Sequence, residues 1–252
     1  MMRFLLLFLL IAGFVIGLIV FAPLSFILKT TGAADRGLSW TSVDGTLAGG
    51  RITGLRAGQD LLGDASLKLN PASLLGLGIE YNFDWSGPSG EGRGRAGAFA
   101  SGAMELRDFD IELDFAALDG AAAWIRQSGG KARLTGDLIR FRKGTCDTAT
   151  GQTWSDVLNK NAAILGPGWP DLSGNLTCEG DMLLIPLQSR SPLGTQLDAA
   201  ARYRPGGDAS VVARVSGVIP QQFHYGLPLA GFAPDAGTYV YRYPASVQDL
   251  SQ

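Results

Sequence analysis

Residues 108–115 read DFDIELDF, and the pattern has no exception: Phe109, Ile111, Leu113 and Phe115 alternate with Asp108, Asp110, Glu112 and Asp114. Strict period two belongs to a strand, whose successive side chains point to opposite faces of a sheet. On a helix the same letters would scatter acid and hydrocarbon around the whole circumference. The chain is therefore built from strands with one dry and one wet face, and the same rule recurs along most of its length. In LLGDASLKL, Leu61, Gly63, Ala65, Leu67 and Leu69 share a face, and in GIEYNFDW Ile79, Tyr81, Phe83 and Trp85 do.

Turns punctuate these runs. Ala199, Ala201 and Tyr203 precede PGGD at 205–208, and Val211, Ala213 and Val215 continue on the return strand, which predicts a hairpin. LSGNLTCEGDMLLIPL predicts another, with Glu179 and Gly180 as its two-residue turn. Between Lys131 and Arg142 the outward set slips from Lys131 and Arg133 to Arg140 and Arg142, which places a bulge near Gly136. Helical spacing is confined to about 119–127 and to TWSDVLNKNAAIL, where Trp154, Val157, Leu158 and Leu165 share a side and Ser155 can cap. Residues 220–234 are ambiguous.

The expected fold is mainly β: one curved antiparallel sheet of ten to twelve strands with one or two short helices. A dry face that wide must be covered, so the sheet folds over itself as a sandwich, a barrel or a half-pipe. A half-pipe leaves an apolar groove, and Leu67, Leu69, Ile79, Tyr81, Phe83, Phe109, Ile111 and Leu113 are its expected lining. The same residues serve equally as an ordinary core.

Ahead of the strands, Phe4 to Leu28 carries no charge. As a helix this run reaches roughly 37 Å, enough to cross a hydrocarbon core of about 30 Å, and it exceeds the usual apolar stretch of a secretory leader. Residues 1–29 are read as a transmembrane anchor and 30–252 as one β-rich domain, with GAAD at 32–35 leaving a cleaved leader open. Arg3 before the span and Lys29 and Arg36 after it give no orientation. Cys146 and Cys178 are the only cysteines, a count that fits one disulfide in an oxidising compartment; two buried reduced thiols are the alternative. The disulfide reading places the domain outside the inner membrane.

Candidate chemistry is sparse. A formal charge of -2 argues against nucleic acid as a partner. His224 is the only histidine, too few for a histidine metal pair, and no G-x-S-x-G elbow occurs, so neither enzyme nor cofactor is expected. His224 itself reads as a partly buried loop residue. GRGRAG at 92–97 is followed by a strand pattern where a nucleotide fingerprint needs a helix. The carboxylates of DFDIELDF, spaced by about 6.8 Å along one face, read as the wet side of the sheet, paired with Arg93 and Arg95 or with Arg140 and Arg142. RFRK at 140–143 reads as an outer face able to approach anionic lipid headgroups.

One N-terminal span, then VDGTLAGGRITGL, LKLNPASLLGLGIEYNFDW, a cysteine in GTC and GPGWPDLSGNLTCEGDMLLIPL follow one another in an order that resembles the type II secretion system protein N family. The resemblance implies an accessory, single-pass inner-membrane component with its bulk in the periplasm, a periplasmic disulfide between Cys146 and Cys178, and other secretion components as partners. It also implies kinship with AsmA-type envelope proteins, and hence lipid as a second class of partner.

Overall fold

The structure is a computed structural model that describes residues 17, 21–30, 37–119, 123–162, 168–206, 209–221 and 223–243. Among the described residues sixteen strands form one continuous antiparallel sheet in which almost every strand pairs with its successor. A meander of this kind follows from short turns between amphipathic strands, since two-residue and three-residue links can only return the chain alongside itself. The order runs from β1 (Leu38–Ser39) and β2 (Ser42–Thr46), which both pair with β3 (Gly49–Ala57), through β4 (Asp60–Leu69), β5 (Gly78–Gly87), β6 (Gly90–Phe99), β7 (Ala103–Asp114), β8 (Lys131–Arg142) and β9 (Thr145–Ser155). It continues through β10 (Leu172–Asn175) and β11 (Thr177–Glu179), both on β12 (Met182–Arg190), then β13 (Thr195–Tyr203), β14 (Ala209–Gly217), β16 (Thr238–Tyr243) and β15 (Ala233–Asp235).

The strand count exceeds the expected ten to twelve because the chain breaks its sheet into short pieces. β1, β11 and β15 span two or three residues each, too few to show a period. Helices are also more numerous than expected: Leu24–Thr30, Ala123–Ser128, Val157–Lys160 and Phe223–Leu229 are all α-helical. The helix expected in TWSDVLNKNAAIL starts only after Trp154 and Ser155, which belong to β9; Asp156 is its N-terminal flanking residue, and Leu165 lies outside the described residues. In the ambiguous 220–234 segment the helix Phe223–Leu229 is followed by β15. The turn assigned to Glu179–Gly180 falls one residue later, because Glu179 pairs with Met182 and leaves Gly180 and Asp181 as the loop.

The slip near Gly136 is a bulge. Gly136 pairs with Gly151 but Leu138 pairs with Thr150, so Asp137 is the extra residue. β7 carries a matching one, since Arg93 faces Asp110 while Arg95 faces Arg107. Its extra residue, Asp108, sits in the left-handed region at φ 45, a conformation aspartate tolerates better than most side chains. Because both bulges lie side by side, β7 and β8 stay in register with each other. A β-carbon on Gly136 would stand 2.4 Å from the Thr150 carbonyl oxygen and 2.6 Å from Cζ of Phe109, so glycine is needed where the Phe109 ring lies over the bend.

The sheet rolls toward its apolar side. Phe141 pairs with Cys146, Cys146 is disulfide-bonded to Cys178, Cys178 pairs with Leu183, and Leu183 pairs with Tyr203. Those four strand steps span roughly 19 Å on a flat sheet. Yet the Phe141 and Tyr203 rings meet edge to face at 6.1 Å between centroids. The apolar face is therefore concave, and the fold is a trough. Its pairing path ends at β1 and β2 on one side and at β15 on the other, with no pair joining the two among the described residues.

Three apolar clusters line the concavity. One joins Phe109, Ile139, Phe141, Leu176 and Leu183 around the disulfide. A second gathers Val157, Leu158, Trp169, Leu172, Val215, Phe223 and Leu227, where the helices after β9 and β14 pack onto the sheet. The third seats Leu24, 2% exposed, against Ile52 and Ala65, so the helix Leu24–Thr30 docks on the first strands. Among the described residues no helix is long and apolar enough to cross a membrane, and most of the expected span, residues 4–28, falls outside them.

Candidate functional site

The eight residues expected to line a groove all lie on the concave face. Leu67 pairs with Phe83 and Leu69 with Tyr81 across β4 and β5. Opposite them β6 supplies only small residues: Tyr81 faces Ala96, Phe83 faces Gly94, and Ile79 faces Ala98. The next strand restores bulk, with Ile111 opposite Gly92 and Met104 opposite Ala98. The result is a lane floored by glycine and alanine between two walls of large side chains. A β-carbon on Gly94 would come within 3.1 Å of Phe109 and 3.0 Å of the Phe83 ring, so the walls already lean over the floor.

Burial along this lane is uneven. Phe109 is 2% exposed and Leu69 9%, whereas Ile79 is 48% exposed and Met104 38%. Phe109 is thus a core residue of the disulfide-centred cluster. Leu67 packs beside the docked N-terminal helix. Ile79, Tyr81, Phe83, Ile111 and Leu113 belong to none of the three clusters among the described residues. Polar tips in the lane are satisfied internally: Tyr81 Oη donates to the Leu47 carbonyl at 2.9 Å and Trp85 Nε1 to the Leu62 carbonyl at 2.7 Å. Burial raises the Tyr81 phenol above its ordinary pKa, so it remains a neutral donor at physiological pH.

The convex face carries the charge. Arg133 holds Asp110 with Nε and Nη2, both at 2.8 Å, while Arg93 approaches the same carboxylate at 3.6 Å. Lys131 reaches Glu112, Arg95 pairs with Asp108, and Asp114 accepts from the Ala116 backbone N–H at 2.9 Å. The carboxylate row is therefore spent on pairing. Arg93 and Arg95 are partners as expected, but from β8 the partners are Lys131 and Arg133. Arg140 and Arg142 are diverted to Glu105 and Asp147 because they lie on the far side of the bulge. The hydrogen bond from Arg133 is the main cause that holds the Asp110 carboxyl below its usual range. For Glu105, burial pushes upward, and hydrogen bonds from Arg140 and Arg107 outweigh it to leave a net downward shift. Between these rows lies a polar hollow of about 320 Å³ lined by Asp84, Glu91, Arg93, Asp110, Glu112 and Arg133.

Other sequence candidates fall into place around this frame. Cys146 and Cys178 are bonded, with Cα atoms 5.5 Å apart, and lie on the concave face. GRGRAG runs straight along β6. His224 is exposed on the helix Phe223–Leu229, not in a loop, and shares a 2.8 Å hydrogen bond between Nδ1 and Tyr239 Oη. Among the described residues no group of three or more His, Cys, Asp or Glu side chains could hold a metal ion. What sequence reasoning missed is the β6 lane. The signal is present in GEGRGRAGAF, where glycine and alanine occupy every inward position, but small residues carry no hydrophobic period to draw attention.

The sequence model for type II secretion system (T2SS), protein N, matches residues 36–242, which takes in every strand of the trough. The chain belongs to the type II secretion system protein N family. No curated protein and no solved structure matches it. The match begins just before β1 and ends in β16, so it covers the rolled sheet of this protein N chain.

Proposed function

We propose that this chain is an accessory component of the type II secretion apparatus, held at the inner membrane by the apolar run that starts at Phe4 and precedes the docked helix Leu24–Thr30, and acting through protein–protein contacts in the periplasm. The family match over 36–242 carries this reading. The disulfide supports an oxidising compartment for the trough, since such bonds persist there and are rare in the cytosol. The geometry also narrows how partners bind. Edge β15 is three residues long and contains Pro234, which has no N–H to offer. Edge β2 is bridged by Pro23 only at Thr46, keeps exposed side chains at Ser42 and Asp44 and is longer than β15, which makes it the better template for strand addition.

The test is in-cell photocrosslinking from Asp44 and Asp235, one on each rim. Capture of secretion-apparatus proteins from Asp44 is the expected result, and capture of none from either rim overturns the reading.

A second reading has its own observation. Ile79, Tyr81, Phe83, Ile111 and Leu113 face a concavity outside the packed clusters, which suits an acyl chain laid along the β6 lane. Native mass spectrometry of the gently extracted protein is the check: lipid adducts support a lipid-handling groove, and a consistently bare mass removes it.

A further inference from the structure

The two ends of the trough are built differently. At one, the connections 115–130, 156–171 and 218–232 carry the helices that pack as a plug around Trp169, Phe223 and Leu227. At the other, strands turn back through short links at 47–48, 70–77, 100–102, 143–144 and 180–181. Large apolar side chains stand exposed around that second mouth: Leu75 at 91%, Leu77 at 75%, Ile79 at 48%, Tyr203 at 43% and Met104 at 38%.

Three further observations say what meets this mouth. The first is where the chain enters. Pro23 bridges Thr46, Leu47 N–H donates to the Ala22 carbonyl at 3.0 Å, and Leu69 N–H donates to the Ala48 carbonyl at 3.0 Å. Asn70 then caps the 3-10 turn Pro71–Gly76 that presents Leu75. The chain therefore enters the domain at Ala22 and Pro23, about two strand spacings, roughly 10 Å, from the start of the turn that carries the exposed leucines. The second is Leu77, which sits in the left-handed region at φ 52 and ψ 43, a backbone state that a β-carbon disfavours. That conformation caps the turn, with the Leu77 N–H on the Leu74 and Ser73 carbonyls, and it fixes a large apolar side chain at the solvent-facing rim. The third is charge: Lys68 is the next-to-last residue of β4 and Lys143 lies in the β8–β9 turn, both exposed at this same end, where they suit anionic headgroups. The plugged end also exposes Leu193, Val218, Tyr225 and Leu229, so exposure alone does not choose between the ends; the plugged end, however, lies at the opposite limit of the strands from the chain's entry.

We infer that the open end of the trough rests in the interfacial layer of a phospholipid bilayer, with Leu75 and Leu77 inserted among the headgroups and Lys68 and Lys143 at anionic phosphates. The concave lane then opens onto the membrane. This rests on the reading of the apolar run ahead of Ala22 as a membrane span.

The test uses the full chain in vesicles of phosphatidylethanolamine and phosphatidylglycerol. A polarity-sensitive fluorophore is attached at Leu77→Cys or, as reference, at Leu229→Cys; both positions are exposed, so neither substitution disturbs packing. Shallow nitroxide lipid should quench the Leu77 label several-fold more than the Leu229 label, and aqueous iodide should reach Leu229 several-fold better than Leu77. Equal access of iodide to both labels overturns the inference, as does a Leu77 label shielded from both quenchers, which would show protein covering the mouth. Vesicle flotation separates the two readings. Protein that floats with an iodide-accessible Leu77 sinks only the docked mouth, while protein that fails to float sinks the anchor as well.

Discussion

Arg133 grips Asp110 with two parallel hydrogen bonds of 2.8 Å, reaching diagonally across β7 and β8 from its place opposite Glu112. This pair stands for the whole convex face, where cross-strand charges cancel in rows. Arg133 is about half exposed, so the pair contributes little in spite of its geometry. Replacing Arg133 by Met is expected to lower the urea midpoint only slightly, and added salt should shrink the difference. Urea denaturation of the two proteins at low and high salt measures it; a loss several times larger would mean the row organises the fold.

Glu105 is different because its side chain is only 7% exposed between Arg107 and Arg140. Its pKa in the folded chain lies below the unfolded value, so its stabilisation is complete above the ordinary glutamate range near about 4.3 and is lost as pH falls through the lower, folded value. Glu105→Gln should therefore weaken the protein at neutral pH and flatten the dependence of its stability on pH below about 4.3. Thermal unfolding from pH 7 down to pH 3 checks both the size and the sign.

The disulfide closes a loop of sequence separation 32 between β9 and β11. On the chain-entropy account, replacing both Cys146 and Cys178 by serine removes about 3–4 kcal/mol. Their β-carbons lie within the cluster of Phe141, Leu176 and Leu183, so repacking adds to that loss. Guanidinium midpoints of the oxidised and double-serine proteins give the difference.

Core and candidate groove can be told apart by stability. Phe109→Ala empties a buried site and should cost about 3–5 kcal/mol. Gly136→Val drives a side chain into the Thr150 carbonyl and the Phe109 ring and should fold poorly. Ile79→Ser, at a half-exposed position, should stay within about 0.5–1 kcal/mol. An Ile79→Ser loss as large as that of Phe109→Ala would make the lane an ordinary core.

The strands, their faces and the bulge at Gly136 were legible because each depends only on neighbours within a few residues: alternation decides the face, and a slip in alternation reveals the extra residue. The eight lining residues share a face for the same local reason. Their differing fates were not legible. Phe109 is sealed because it lies over the Gly136–Gly151 pair at the bend, and Ile79 stays open because it stands at the mouth, away from the helices packed at the opposite end. Likewise the acidic row announced its wet side, while the identity of its partners waited on the paired bulges that shift β8 by one residue.

By itself, then, the amino-acid order determined an amphipathic antiparallel meander with an apolar run ahead of it, since period two and short turns leave a chain few alternatives. Only the tertiary structure decided which way the sheet rolls, which end the helices plug and which apolar residues remain uncovered. Curvature is the sum of small twists and bulges over sixteen strands, and contacts such as Phe141 with Tyr203 exist only after that sum is taken.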